Sequence, residues 1–178
     1  MEENMAERTK LWIAEHMKAF MRTKPIERIR VSELCEAAEI ERYTFYYHFK
    51  DKYDLVAWIF YRSAYGTNII SVEEAAASME RVKADMLYYK NAYADTSKDA
   101  LWQYMFAYYV EGYARIAREA LGHELDQQLM LSVRLYCYGA MSVTRDWVLS
   151  NDDTSAEDMV KMMFASMPPE LHRLYFGA

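Results

Sequence analysis

The strongest chemical signal in this 178-residue chain lies between residues 42 and 49, where the sequence reads RYTFYYHF. This run predicts a short helix in which Phe45 and Phe49 are four residues apart and therefore share one side. The opposite side carries one arginine and three tyrosines: Arg42, Tyr43, Tyr46 and Tyr47. Tyrosine rings can contact base edges and sugars, while hydroxyl and guanidinium groups donate hydrogen bonds to phosphate oxygens. The pattern therefore indicates contact with DNA.

The flanking residues predict the elements that hold this helix. Residues 31–38 predict a short helix with an apolar side, and the turn that follows falls near residues 39–41. A further helix begins near Lys52, where Lys50 and Lys52 would stand beside backbone N–H groups that suit a phosphate. Two short helices joined by a tight turn, the second presenting hydrogen-bonding side chains outward, are typical of a helix-turn-helix DNA-binding domain.

The residues from Thr44 to Phe49, followed by Lys52, resemble a signature of the TetR/AcrR family of transcription regulators. That signature is T-(L/V)-Y-x-(Y/H)-F, with a lysine three residues later. The longer run TFYYHFKDKYDLVAWIF is similar to the branch of the family that includes regulators of dihydroxyacetone kinase. The resemblance is strong over residues 8–58 and weak but compatible over the remainder of the chain.

The resemblance implies a ligand-responsive homodimer that regulates transcription by binding double-stranded DNA at an inverted-repeat operator. It also implies a division of labour in the DNA-binding segment. The residues expected at base edges are Arg42, Tyr43 and Tyr47. The residues expected at phosphates are Thr44, Tyr46, His48 and Lys52.

Two acidic residues depart from the family pattern. Glu39 stands in the turn, where the family usually has glycine, and Glu41 precedes the second helix, where serine or threonine is common. A carboxylate still favours a helix N-terminus, but both residues place negative charge close to DNA. With the net charge of −6, they keep a second hypothesis open: a helical interaction module or co-regulator that has lost specific operator reading.

The composition predicts an all-α protein. Apolar residues make up 53% of the chain, and five glycines with three prolines are too few for a turn-rich β protein. The best break lies at residues 66–68, which read Gly-Thr-Asn. We therefore expect a helix-turn-helix domain over residues 1–66 and a helical regulatory and dimerisation domain over residues 67–178. Basic residues gather in the first domain: residues 18–30 hold five basic side chains and one acidic one.

Other chemistry has little support in the sequence. There is no glycine-rich phosphate loop, CxxC or HExxH motif, and the four histidines are scattered. Cys35 and Cys137 each fall on an apolar helical face, so we expect buried, reduced thiols. The polar, acidic start of the chain does not resemble a signal peptide, and no apolar run reaches membrane-spanning length. We expect a cytoplasmic protein that is not an enzyme and holds no metal or cofactor.

The sequence of the second domain predicts four helices, over residues 72–93, 100–121, 125–150 and 156–167. The first of them is weakly amphipathic. Its aromatic residues, with one arginine, supply the lining that a small-ligand pocket needs: Tyr89, Trp102, Phe106, Tyr109, Tyr113, Arg134 and Tyr138. For any single tyrosine, core packing is the alternative. Arg134 requires either an anionic ligand or an internal partner such as Glu111 or Asp146.

The last two long helices carry more apolar residues than one inward face requires. Pairing them with their symmetry mates would form a four-helix interface between two protomers. The candidates for that interface are Tyr136, Gly139, Ala140, Val143, Trp147, Met159 and Met163.

Overall fold

The computed structural model describes residues 5–95, 97, 100–150 and 152–177, and within them it contains ten α-helices, one short 3-10 helix and no strand. The all-α class is therefore confirmed. The helices are α1 Met5–Met21, the 3-10 helix Ile26–Arg28, α2 Val31–Ala37, α3 Arg42–His48, α4 Lys52–Ala64, α5 Val72–Ala84, α6 Met86–Ala94, α7 Leu101–Leu121, α8 Gln127–Ser150, α9 Ala156–Ala165 and α10 Pro169–Phe176.

The prediction of one continuous helix over residues 72–93 is wrong. The chain breaks at Asp85, whose backbone leaves the helical region (φ −124°, ψ 46°), so that α5 ends before it and α6 begins after it. The Asp85 carboxylate accepts two hydrogen bonds from the guanidinium of Arg22, the residue that follows α1, at 2.7 and 2.6 Å. A bidentate ion pair of this kind holds Asp85 in place at the break.

The chain divides into two compact units. The first comprises Met1–Tyr65 with Asp85–Leu101, and the second comprises Gly66–Ala84 with Trp102–Ala178. The contacts thus place α6 with the helix-turn-helix, whereas the expected division at residues 66 and 67 placed it in the second domain. In the first unit α1 packs against α2, α3, α4 and α6. Its core contains Ile13, Met17, Met21, Leu34, Phe45 and Leu55, all fully buried.

In the second unit α5 packs against α9, and α8 packs against α10. A group of buried tyrosines holds α7 in place. The Tyr113 hydroxyl donates to the carbonyl of Ile69 at 3.2 Å, and the Tyr175 hydroxyl donates to the carbonyl of Tyr113 at 3.0 Å. Each of these two hydroxyls therefore has a backbone acceptor. The second unit also buries the apolar side chains of Val133, Cys137, Val148 and Leu171.

Candidate nucleic-acid interface

The helix α3 has one buried side and one exposed side. Phe45 is 0% exposed and Phe49 is also buried, so these two rings fasten the helix to the core of the first unit. On the other side Tyr43 is 78% exposed and Tyr47 is 71% exposed, with Arg42 and Tyr46 also at the surface. Aromatic side chains gathered at the surface in this way are unusual unless they meet a partner.

The exposed side chains of α3 support one another. The Arg42 guanidinium lies 6.0 Å from the centroid of the Tyr46 ring, at the outer limit of a cation–π contact. The rings of Tyr43 and Tyr47 are 6.4 Å apart. Within the described part of the chain, the hydroxyls of Tyr43 and Tyr47 have no hydrogen-bond partner. The face is therefore partly pre-arranged, with these two polar ends available to an external acceptor.

A hydrogen bond from Trp12 of α1 stabilises the turn that precedes α3. The indole N–H donates to the carbonyl of Ala38 at 2.9 Å, and the Ile40 N–H closes the turn onto the carbonyl of Cys35 at 3.0 Å. Between them Glu39 adopts φ 53°, the left-handed conformation that non-glycine residues rarely adopt. The departure at Glu39 noted in the sequence therefore falls at a position where glycine would relieve backbone strain.

Replacing Glu39 by glycine should raise the free energy of unfolding by roughly 0.5–1 kcal/mol, because relief of left-handed strain exceeds the entropy that glycine adds to the unfolded chain. Urea denaturation of the whole protein measures this change. The matched control is Glu36→Gly, a substitution at an exposed helical position of α2. It should lower the free energy of unfolding by about 1 kcal/mol. Two equal decreases would show that residue 39 is not strained.

Glu41 precedes α3 with an extended backbone (φ −71°, ψ 147°), and its side chain makes no capping hydrogen bond. The family's usual serine or threonine would accept a hydrogen bond from an N–H of the first turn. In this chain Glu41 is exposed and contributes only its charge. The charge of Glu41 therefore lowers the positive potential beside the exposed side of α3.

The basic residues near α3 fall into two groups. Three of them already pair with acids: Lys18 with Glu15, Arg22 with Asp85, and Lys24 with Glu33. Three others are exposed and have no ion pair among the described residues: Arg28, Arg30 and Lys50. Free exposed cations are the side chains that phosphates attract. Arg28 and Arg30 were not singled out as contacts from the sequence, where the only signal was the basic cluster over residues 18–30.

The structure corrects the expectation that Lys52 is free to meet a phosphate. Its ammonium group donates to the carbonyls of Ile26, Glu27 and Ile29, at 2.7, 3.1 and 3.0 Å. An ammonium group has three N–H donors, so all of them are used inside the protein. Burial lowers the pKa of Lys52, and the carboxylates of Glu27, Asp95 and Asp51 partly oppose that effect.

The N-terminus of α4 is likewise occupied. The carboxylate of Asp51 accepts hydrogen bonds from the N–H groups of Tyr53 and Asp54, both at 2.9 Å. The backbone N–H groups expected to bind a phosphate there therefore have an internal acceptor.

His48 and Thr44 are half-buried at the edge of the α3 face. Burial, followed by the nearby Lys10 ammonium, lowers the pKa of His48. The lowered pKa favours the uncharged form of the ring, which can donate one N–H to a phosphate.

Residues 18–59 match the model of the family described as bacterial regulatory proteins, tetR family. The N-terminal segment is a TetR-family domain. The match spans α2, α3 and most of α4, the elements that carry the exposed tyrosines. The TetR resemblance seen in the signature residues is thereby confirmed, and this segment supports DNA-binding transcription regulation.

A solved structure entitled dihydroxyacetone kinase operon activator DhaS is similar to this chain in fold. The two are 19% identical, the superposition covers 89% of this chain and 96% of DhaS, and the TM-score is 0.59. No curated protein sequence matches the chain significantly. Because the identity is low, the likeness to DhaS shows a similar fold alone.

The aromatic residues expected to line a ligand pocket are distributed over both units. Tyr89 lies on α6 in the first unit, while the others lie on α7 and α8 in the second. Trp102 and Phe106 meet the Tyr138 ring edge-on, at centroid distances of 6.3 and 5.9 Å. Tyr113 is buried and bonded to Ile69, so it belongs to the core.

An open groove of about 420 Å³ runs beside Phe106 and Tyr138. It is lined by Phe106, Gln127, Met130, Leu131, Arg134, Leu135 and Tyr138. Arg134 is exposed, so its charge is solvated and needs no internal acid. Glu111, one of the two acids considered as its partner, is paired with Arg118.

The residues expected at a dimer interface also separate into groups. Gly139 and Val143 are exposed on α8, and Tyr136, Ala140 and Met163 are half-buried. Trp147 is 2% exposed and Met159 is buried, so both belong to the interior of their own protomer. Three exposed apolar residues of α8 were not among the interface candidates from the sequence: Leu131, Leu135 and Tyr138.

Three further features bear on the expectations from the sequence. Both cysteines are free and buried, and burial raises the pKa of the Cys137 thiol to about 12. Among the described residues, no three His, Cys, Asp or Glu side chains come together in a way that could hold a metal ion. None of the described helices combines the length and apolar character needed to cross a membrane.

Proposed function

We propose that this chain is a sequence-specific transcription regulator that acts in the cytoplasm as a homodimer on an inverted-repeat operator. The observation that carries the proposal is α3, a seven-residue helix anchored by Phe45 with Tyr43 and Tyr47 exposed on its outer side. A helix of this kind, inside a TetR-family domain, suits insertion into a major groove.

The proposed operator contacts follow from the exposure of each side chain. Arg42, Tyr43 and Tyr47 would read base edges, while Thr44, Tyr46 and His48 would meet the backbone near the helix. Arg28, Arg30 and Lys50 replace Lys52 as the cations proposed to meet phosphates, because their charges have no partner among the described residues. Phosphate contacts fix the register of the protein, and base contacts supply the preference for sequence.

The homodimer is supported by the outer side of α8. Leu131, Leu135 and Tyr138 are exposed and recur at a spacing of four and three residues, which places them on one side of α8. One helix cannot leave such a stripe in water without cost. Because a C2 pair presents two symmetry-related recognition helices, its natural target is an inverted repeat.

The response to a small molecule is supported by the groove beside Phe106 and Arg134. This groove shares Leu131, Leu135 and Tyr138 with the outer side of α8, so in the proposed homodimer the ligand would bind at the edge of the dimer interface. An apolar lining with a single cation suits an amphipathic anion. A ligand can change operator affinity only by its differential affinity for two arrangements of the protein. A coupling free energy of roughly 1–3 kcal/mol would change operator affinity about 5- to 150-fold.

Tyr47→Ala tests the proposed function. With a duplex that the wild-type protein selects from a randomised pool, the variant should bind about 5- to 150-fold more weakly, as expected for a loss of 1–3 kcal/mol. Its affinity for random duplex should be unchanged. Fluorescence anisotropy at fixed salt measures both affinities, and Tyr65→Ala provides an exposed tyrosine outside α3 as the control. Equal losses on specific and random DNA would contradict base reading by Tyr47.

A helical co-regulator without operator reading is the second candidate, favoured by the exposed Glu39 and Glu41 on either side of the turn. The same experiment separates the two hypotheses. A co-regulator would select no duplex from the pool, and Tyr47→Ala would then change no DNA affinity.

A further inference from the structure

Lys52 occupies the first turn of α4 and reaches across to a segment that lies more than 20 residues earlier in the chain. Its three carbonyl acceptors belong to the 3-10 helix Ile26–Arg28 and to Ile29, two residues before α2 begins. One of the three, the carbonyl of Ile26, also accepts the N–H of Ile29. The ammonium group thus links the segment between α1 and α2 to the start of α4.

The same turn of α4 is also fastened to the end of α3. Asp51 caps the helix through the N–H groups of Tyr53 and Asp54, and Asp54 accepts the N–H of Lys50 at 2.9 Å. The first turn of α4 therefore holds the residues that follow α3 on one side and the residues that precede α2 on the other. Since α2 and α3 are short, their orientation depends on such tertiary contacts more than on their own helical stability.

We propose that Lys52 is a positioning residue for DNA recognition, which fixes the helix-turn-helix on α4 through three backbone carbonyls and does not serve as a phosphate ligand. This inference rests on the proposed function. To reach a phosphate, the ammonium group would have to give up hydrogen bonds to three carbonyls, of which those of Ile26 and Ile29 are partly buried. A buried carbonyl that loses its donor is destabilised. The exposed Lys50, two residues earlier, has no ion pair among the described residues to give up.

Salt dependence separates the two roles of a lysine. A phosphate ligand releases counterions when it binds, so its removal lowers the slope of log affinity against log salt concentration by about one. A positioning residue alters the base contacts and leaves that slope unchanged. The comparison of Lys52→Met with Lys50→Met, on the selected duplex and on random duplex, therefore distinguishes the roles within one protein.

Lys52→Met should bind the selected duplex about 5- to 150-fold more weakly, the range that a misplaced base contact covers, with random binding and salt slope unchanged. Lys50→Met should weaken both duplexes and lower the slope by about one. Lys52→Arg should not restore binding, because a planar guanidinium cannot direct its N–H groups at three converging carbonyls. Restoration by arginine, or a slope lowered by one in Lys52→Met, would overturn the inference.

Amide hydrogen exchange without DNA supplies a measurement independent of the proposed function. Lys52→Met should speed exchange over residues 28–33, and Lys50→Met should not. If Lys52→Met fails to fold, Lys52→Gln retains two N–H donors and should show a smaller increase in the same segment. Unchanged exchange in both Lys52 variants would show that Lys52 does not hold the connection between α1 and α2. A wild-type protein that selects no duplex would contradict the proposed function. Faster exchange in Lys52→Met would still show that Lys52 holds the connection between α1 and α2.

Discussion

Leu135→Asp should dissociate the proposed homodimer and with it abolish tight operator binding. Leu135 is 64% exposed on α8, between the exposed Leu131 and Tyr138. A carboxylate at the centre of a buried apolar interface loses its hydration without gaining a partner. Hot-spot changes of this kind cost on the order of 2–4 kcal/mol, which raises the dimer dissociation constant about 30- to 1,000-fold. A monomer offers one recognition helix, so it cannot bind both half-sites together.

Light scattering at micromolar concentration measures the mass of each variant, and anisotropy with the selected duplex measures operator affinity. Leu87→Asp is the matched control, because Leu87 is 61% exposed on α6 and belongs to the first unit, whereas α8 belongs to the second. This control should remain dimeric. A dimeric Leu135→Asp protein would remove α8 from the interface, and a monomeric wild-type protein would remove the inverted-repeat operator as well.

The sequence predicted the two helices proposed for this interface, but it did not predict which of their residues are exposed. Gly139 and Val143 are exposed as expected, yet Trp147 is buried because its indole N–H donates to the carbonyl of Thr154 at 3.1 Å. The ammonium group of Lys83 also lies 5.0 Å from the Trp147 ring centroid. On an apolar helix, the side that faces inward is decided by distant neighbours, and periodicity alone does not reveal them.

The recognition helix could be predicted because its signal is local. The spacing of Phe45 and Phe49 within seven residues sets which side is buried, and the exposed tyrosines follow from it. Lys52 could not be predicted in the same way, because its acceptors are backbone carbonyls 23 to 26 residues away. The break at Asp85 has the same origin, since its partner Arg22 is 63 residues distant. Backbone acceptors and long-range ion pairs leave no local pattern.

Phe45→Ala should have the largest effect on stability among changes in α3. The ring is 0% exposed and lies 5.9 Å from the Phe49 ring and 5.3 Å from the Tyr46 ring, centroid to centroid. Removal of a buried phenyl ring costs about 3–5 kcal/mol, from lost transfer free energy and the cavity that remains. Urea denaturation should therefore show a free energy of unfolding lower by that amount.

Tyr47→Ala completes the comparison, since Tyr47 is two residues away in the same helix but faces solvent. It should change the free energy of unfolding by no more than about 0.5 kcal/mol, although it weakens operator binding 5- to 150-fold. Phe45→Leu should recover part of the stability lost in Phe45→Ala, because a larger apolar side chain fills more of the cavity. If Tyr47→Ala were as destabilising as Phe45→Ala, the exposed side of α3 would be structural, and its tyrosines would not be free to read DNA.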